Sequence, residues 1–517
     1  MGLLRLPIEL ILRILEDLDY RSILACKRIC RRLNVLIDQS TTLRYVVALA
    51  AVGQQDGSSS HLGIAERLQM LTGFRDAWEE LKWTEHTCVP TQDGGSWELY
   101  GGVFAECSED RETLFFRQLP SRLRGIEARE WRVDVRFHVC DFTMDPSQDL
   151  LVALQYVASV HSSTGKSKVH LQAMSSGNAH PAAYNASVLE HTITDMEGEW
   201  GYDIVINGDR LGVMFMDTAR DADTEFVVWN WKSGKILMWL TGDDIRSFVF
   251  LDERFVMVAR IIDRDPLADS PIIAVYDLDA MSPKQTNICD IPYRCAFTLP
   301  EMGVDTLLHD LLIRSDPAPN WQPRRDLAVP FHAMHAERLF VITLFAYVIS
   351  PRRNNLRALD LFVSSRFFLE RARDLRADTL SWSQWGPHYS RAVVRGKPTQ
   401  TDWVCYIFGM RFINPKPVGR RPDKEIQILD FHPARVDRAR HGELLDGWEL
   451  VTAETVISRN WLQSVPLKTN LPCLVKKIPL PLPSAINSSV SLMISEDTLI
   501  ALEEVCGLTY VFGLSGC

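Results

Sequence analysis

The chain has 517 residues, too many for one ordinary core, and its 46 % hydrophobic and 24 % charged residues describe a folded protein of two or more parts. A net charge of −10 with a pI near 5.8 argues against a general nucleic-acid binder. The charge is uneven: residues 1–50 hold eight Lys/Arg and five Asp/Glu, a net of +3, which leaves −13 for the remainder (48 against 61).

The segment Leu6-Pro7-Ile8-Glu9-Leu10 opens a first helix. Proline is tolerated in a first turn, where its missing N–H has no intrahelical partner, and Glu9 suits the positive end of the helix dipole. Leu10, Ile11, Ile14, Leu15 and Leu18 then recur at helical spacing. Asp19-Tyr20-Arg21-Ser22 breaks the pattern, and Asp19 or Ser22 can cap the next helix. A single second helix is expected to turn Ile23, Leu24, Cys26, Ile29, Cys30, Leu33, Leu36 and Ile37 inward, with Lys27, Arg28, Arg31 and Arg32 elsewhere. Two short helices cannot bury two apolar faces between themselves, since below about 40 residues a lone domain is marginal. The segment is therefore a helical docking module.

The run Leu6-Pro7-x-Glu9-Leu10-Ile11-x-x-Ile14-Leu15-x-x-Leu18, continued by Ser22-Ile23-Leu24-x-Cys26-x-x-Ile29-Cys30-Arg31-x-Leu33, resembles the F-box. Leu33 departs from the family, in which an aromatic residue is commoner at that place. The resemblance implies a Skp-type adaptor as partner, which tethers the chain to a cullin scaffold. It assigns Leu6, Pro7, Ile8, Leu10, Ile11, Ile14, Leu15, Leu18, Ile23, Leu24, Cys26, Ile29, Cys30 and Leu33 to the adaptor interface. The small basic module favours an acidic partner.

Helix continues from Arg44 to Val52; Gln54–Ser60 is a loop by composition. Ile64, Leu68, Leu71, Phe74, Ala77, Trp78 and Leu81 restore helical periodicity. These features divide the chain into residues 1–45 (F-box), 46–95 (a stiff helical linker) and 96–517 (an all-β domain).

From Trp97 onward short strand-like runs alternate with turns. Ile204–Ile206 and Leu211–Met216 flank an Asn207-Gly208-Asp209 turn, Phe226–Trp231 and Ile236–Trp239 flank Lys232–Lys235, and Phe248–Leu251 and Phe255–Val258 flank Asp252–Arg254. Ile272–Leu278 comes next, and Asp141–Asp149 leading into Leu150–Ala153 opens an earlier unit. Later candidates are Leu339–Phe345, Val404–Phe412, Ile426–Phe431, Leu499–Glu503 and Leu508–Phe512. Trp229-Asn230 and Tyr276-Asp277 end comparable strands 47 residues apart (276 − 229). A repeat of that size with four strands is the sign of a β-propeller blade, and the strand ends resemble the WD-repeat style. The remaining length supplies about six to eight blades. A β-sandwich pair is the alternative. Ring closure is expected to pair Trp97–Phe104 with strands near the C-terminus, and the Pro-rich stretches 315–330, 415–422 and 466–483 read as inter-strand loops. The fold class is thus α+β multidomain: an all-α F-box and linker, then an all-β, WD-like propeller similar to that of fungal-type F-box proteins.

Enzyme and anchor signals are weak. Thr164-Gly165-Lys166-Ser167 ends like a phosphate-binding loop, but Val160 stands where the first glycine belongs. His332 and His335 lack a third ligand, Cys26 and Cys30 lack a second pair, and no Gly-x-Ser-x-Gly elbow occurs. Arg352-Arg353 and Arg420-Arg421 are short basic pairs that can meet an acidic degron. The longest apolar run, Leu339–Ile349, is about half the ~20 residues of a membrane span. Acids at Glu9 and Glu16 and Leu6 in place of Ser or Thr speak against a leader and a myristoyl anchor. Eleven scattered cysteines make no disulfide framework and place the chain in the cytoplasm or nucleus, where Asn185 and Asn487 are glycosylation sequons by spelling only. The expectation is a non-catalytic ubiquitin-ligase substrate receptor without cofactor or metal, binding a target protein through its β domain. An F-box protein acting outside a ligase, or an enzyme on a propeller, are the rivals.

Overall fold

The computed structural model describes residues 3–514 apart from 59–60, 82, 93, 159–163, 185–186, 195–199, 218–222, 264–268, 304–305, 325, 336, 349–354, 375–377, 396–404, 416–424, 458–465, 481–489 and 504–507. A single 3-10 turn, Leu3–Arg5, precedes α1 (Ile8–Glu16), α2 (Tyr20–Ile29), α3 (Arg31–Gln39) and α4 (Thr41–Ala51). The Asp19 carboxylate caps α2, accepting from the Arg21 and Ser22 backbone N–H groups at 2.8 and 3.1 Å. The expected single second helix is two. Cys30 sits in extended backbone (φ −158°, ψ 159°) and turns the chain between α2 and α3. That turn lets Ile11, Leu15, Ile23, Leu33, Ile37 and Leu43, from four helices, meet in one small core.

After α4 the strand Gln54–Asp56 pairs antiparallel with Phe331–Ala333. Then α5 (Ile64–Glu80) lies against the β domain instead of holding it at a distance. Phe74 meets the Phe331 ring edge-on at 5.3 Å, and the Trp78 indole N–H donates to the Glu496 carbonyl at 3.0 Å. Arg411 stacks over the same indole at 4.1 Å. The carbonyls at the C-terminal end of α5 have no intrahelical donors, and outside groups supply them. Lys476 Nζ donates to the Glu79 and Glu80 carbonyls at 3.0 and 3.1 Å, and Trp448 Nε1 to Glu79 at 2.7 Å. The expected linker is therefore an integral part of the propeller surface.

Among the described residues the β domain is built on seven four- or five-stranded sheets, each running outward from a central axis. Their four principal strands come from 97–134, 141–194, 200–242, 245–298, 306–395, 407–479, and 490–514 joined by 83–90. This is a seven-bladed β-propeller. The expected hairpins are present: Trp200–Asn207 pairs with Arg210–Asp217 across a turn in which Gly208 takes φ +59°, a conformation costly for other residues. Each sheet is apolar on both faces because each is covered by two neighbours. In the strand Phe255–Asp263, Phe255, Met257, Ala259 and Ile261 pack toward one adjoining blade while Val256 and Val258 pack toward the other. Trp229 and Tyr276 end the third strands of consecutive blades, as their spacing suggested. The stretch 466–483 is no simple loop, since it holds the strands Leu467–Thr469 and Cys473–Pro479.

Closure uses a different strand from the expected one. Trp97–Tyr100 pairs within its own blade, with Val103–Cys107. The seam is made by Trp83–Pro90, which joins the outside of Leu508–Leu514, itself paired on its other side with Thr498–Glu503. A buried ion cluster fastens the first blade to the last: Arg124 reaches Glu496 at 2.5 Å and Asp497 at 2.8 Å, and Ser121 bonds Asp497. Arg124→Ala leaves both acids buried without their cation. It is expected to cost about 3–5 kcal/mol, read as a lowered denaturation midpoint. A loss below about 1 kcal/mol would show that the seam does not depend on this cluster.

Candidate docking face and hub cavity

The helical module leaves several large apolar side chains uncovered. Ile29 is 69 % exposed, Leu10 51 %, Ile8 47 % and Ile14 41 %. Leu6 and Leu24 are exposed beside them, as is Pro7. Leu18, Cys26 and Cys30 are half-buried. The remaining four residues assigned to the adaptor interface, Ile11, Leu15, Ile23 and Leu33, are buried in the module's own core. A partner cannot touch them without unfolding the helices. Leu4 and Val35 are equally exposed and were not singled out in the sequence; only the fold shows which side of a short helix faces outward. A concentration of exposed apolar side chains on one small module marks an interaction surface.

Hydrogen bonds tie the module to the β domain. The described residues of 315–338 form a cap that bonds to the ends of three innermost strands, across one end of the propeller axis. Ala318 N–H donates to the Tyr100 hydroxyl (3.3 Å), Asn320 N–H to Asn207 Oδ1 (3.1 Å), and Arg338 Nη2 to the Leu251 carbonyl (2.7 Å). The other side of this cap meets the module: the Tyr45 hydroxyl donates to the Pro330 carbonyl at 2.9 Å, and Met334 N–H to Gly53 at 2.9 Å.

Beneath the cap, on the axis, lies a cavity of about 230 Å³. Innermost strands place Glu98, Asp141, Asp203 and Arg314 on its wall, with Asp316 of the cap as floor. Arg314 donates to Asp203 at 2.8 Å. Glu98, Asp141 and Asp316 form no ion pair within 4 Å among the described residues. Burial, reinforced by Asp316 and Asp141, pushes the Glu98 carboxyl up to about 8. Burial likewise lifts Asp141 to about 7 and Asp316 to about 6. None of these acids was singled out in the sequence.

The other sequence candidates take structural places. The Gln55 amide nitrogen stands between the two histidines, 3.3 Å from His332 Nδ1 and 2.8 Å from His335 Nε2. Burial lowers His332 to about 4 and His335 below the usual imidazole range. No group of three or more His, Cys, Asp or Glu placed to hold a metal ion occurs among the described residues. Thr164–Ser167 opens the strand Thr164–Ala173, whereas a phosphate-binding loop leads into a helix N-terminus. The basic pairs Arg352-Arg353 and Arg420-Arg421, Asn185 and Asn487 lie outside the described residues. No described helix is long and apolar enough to cross a membrane.

The comparisons bear on the module. A family model described as F-box-like matches residues 3–46. Module and blades together define an F-box protein, with an N-terminal F-box-like domain and then a seven-bladed β-propeller. No curated protein matches the chain. Among solved structures, a mutant of the Synechocystis apocarotenoid oxygenase is similar at 9 % identity and a TM-score of 0.28, covering 75 % of this chain and 72 % of its own. So low a score carries no argument about function.

Proposed function

We propose that this protein is the substrate-receptor subunit of an SCF-type cullin-RING ubiquitin ligase. The exposed set Ile8, Leu10, Ile14, Leu24 and Ile29 on an F-box-like domain carries the reading, because F-box domains generally bind Skp-type adaptors. The hydrogen-bonded mount of that domain on the β domain supports it. Transfer of ubiquitin from a separate catalytic subunit depends on reach, and a receptor whose propeller is fastened to α5 and the cap holds its target at a set distance. The propeller binds the target protein, and the ligase chemistry lies in other subunits. A role in the cytoplasm or nucleus goes with this reading.

The test is reconstitution. Full-length protein, Skp-type adaptor, cullin-RING core and charged conjugating enzyme are combined with proteins captured from cells treated with a proteasome inhibitor. Ubiquitin transfer to a captured protein that requires both the adaptor and the propeller supports the proposal. Adaptor binding without transfer to any captured protein would favour an F-box complex that works outside a ligase, and turnover of a small molecule by this chain alone would replace the reading with an enzyme.

A further inference from the structure

We infer that the hub cavity receives one cationic side chain, an arginine, from the target protein; this rests on the receptor reading and names the chemistry it recognises. Three independent features converge on it. The first is size: about 230 Å³ is smaller than the roughly 300–1,000 Å³ of sites for drug-sized ligands, and suits a single long side chain. The second is charge. Among the described residues four carboxylates, Glu98, Asp141, Asp203 and Asp316, line the space with one cation, Arg314, which donates to Asp203. Glu98, Asp141 and Asp316 are half-buried and have no ion-pair partner among the described residues, and a guanidinium entering among them would supply one in its forked, bidentate geometry.

The third feature is access. The cap bonds to the ends of the innermost strands, whereas Glu98 and Asp141 stand near their starts, on the side of the cavity away from it. Tyr202, partly exposed, adds an aromatic ring to the wall, where a planar cation gains from the π face. The β domain's net negative charge would draw a basic segment toward this mouth.

The test uses full-length protein bound to the Skp-type adaptor and three probes: the peptide acetyl-Gly-Gly-Arg-Gly-Gly-amide, the same peptide with citrulline for arginine, and spermidine. Calorimetric titration at low salt and about pH 8.5, where the acids are ionised, is expected to show binding of the arginine peptide and none of the citrulline peptide. Glu98→Gln keeps the shape and should weaken binding about thirtyfold or more. Glu98→Lys places a tethered ammonium in the cavity and should abolish binding while leaving the melting temperature unchanged or raised. Equal binding of the arginine and citrulline peptides, or no effect of either substitution, would overturn the inference. Tighter binding of spermidine than of the peptide would overturn it in favour of a free polyamine. If the arginine peptide fails while adaptor-dependent ubiquitin transfer persists, only this inference falls; if transfer fails while the peptide binds, the receptor reading falls and the cavity assignment stands.

Discussion

A chain shortened to residue 503 is expected not to close its ring. Leu508–Leu514 is a central strand, paired on one side with Thr498–Glu503 and on the other with Trp83–Pro90. Its removal takes away two ladders at once and the buried side chains of Tyr510, Val511, Phe512 and Leu514. At roughly 1.5–3 kcal/mol for each, the gross loss is about 6–12 kcal/mol, as large as the whole stability of an ordinary domain. Two unpaired edges would also face solvent and invite association between chains. The measurements are soluble yield and thermal denaturation by circular dichroism. A truncated chain that stays monomeric with an unchanged melting temperature would contradict the assignment of the seam.

The second large effect concerns the docking face. Leu10→Asp together with Ile29→Asp should reduce adaptor binding by more than about a hundredfold, since each places a charge where apolar contact is needed. Both residues are well exposed, so the melting temperature should hold. Ile11→Asp has a different signature. Its side chain is wholly buried with Leu15, Ile23 and Leu33, and the charge would unfold the module itself. Loss of adaptor binding with a native melting curve for the surface pair, and with loss of helical signal for Ile11→Asp, separates contact from scaffold. Undiminished co-purification of the adaptor with the surface pair would refute the face.

The docking module was legible because its signals are local. The Leu6-Pro7 opening, the helical spacing from Leu10 to Leu18 and the Asp19 cap lie within one another's reach along the chain. What could not be read there was the direction of each apolar side chain. Short helices with apolar residues on several sides give no dominant stripe, and the extended backbone at Cys30 reorients everything after it. The blades were legible where hairpins are tight, as around Gly208, and obscure where insertions stretch them. The fifth and sixth blades draw on 306–395 and 407–479, far from the 47-residue spacing of Trp229 and Tyr276 (276 − 229). Burial on both sheet faces also replaces the alternation that would otherwise betray a strand. Trp83–Pro90 escaped notice because half its residues are polar, and its partner lies at the other end of the sequence. The hub acids escaped for the same reason. Glu98, Asp141 and Asp203 stand in three different blades and Asp316 in the cap, and only the ring brings the four together.

The strand at 83–90 has a consequence for synthesis. It leaves the ribosome directly after α5, while its pairing partner emerges some four hundred residues later. The small core of the docking module lies within its own four helices and can form early, whereas Tyr45 and Leu49 of α4 await the β domain, whose ring stays open until translation is nearly done. Throughout that interval the nascent chain presents an unsatisfied edge, the kind of surface that holds a chaperone. On the proposed receptor function, a transcript broken late in the reading frame would yield a product able to engage the ligase machinery yet lacking a finished ring. Such a product would sit on the scaffold without cargo and compete with intact receptors for it.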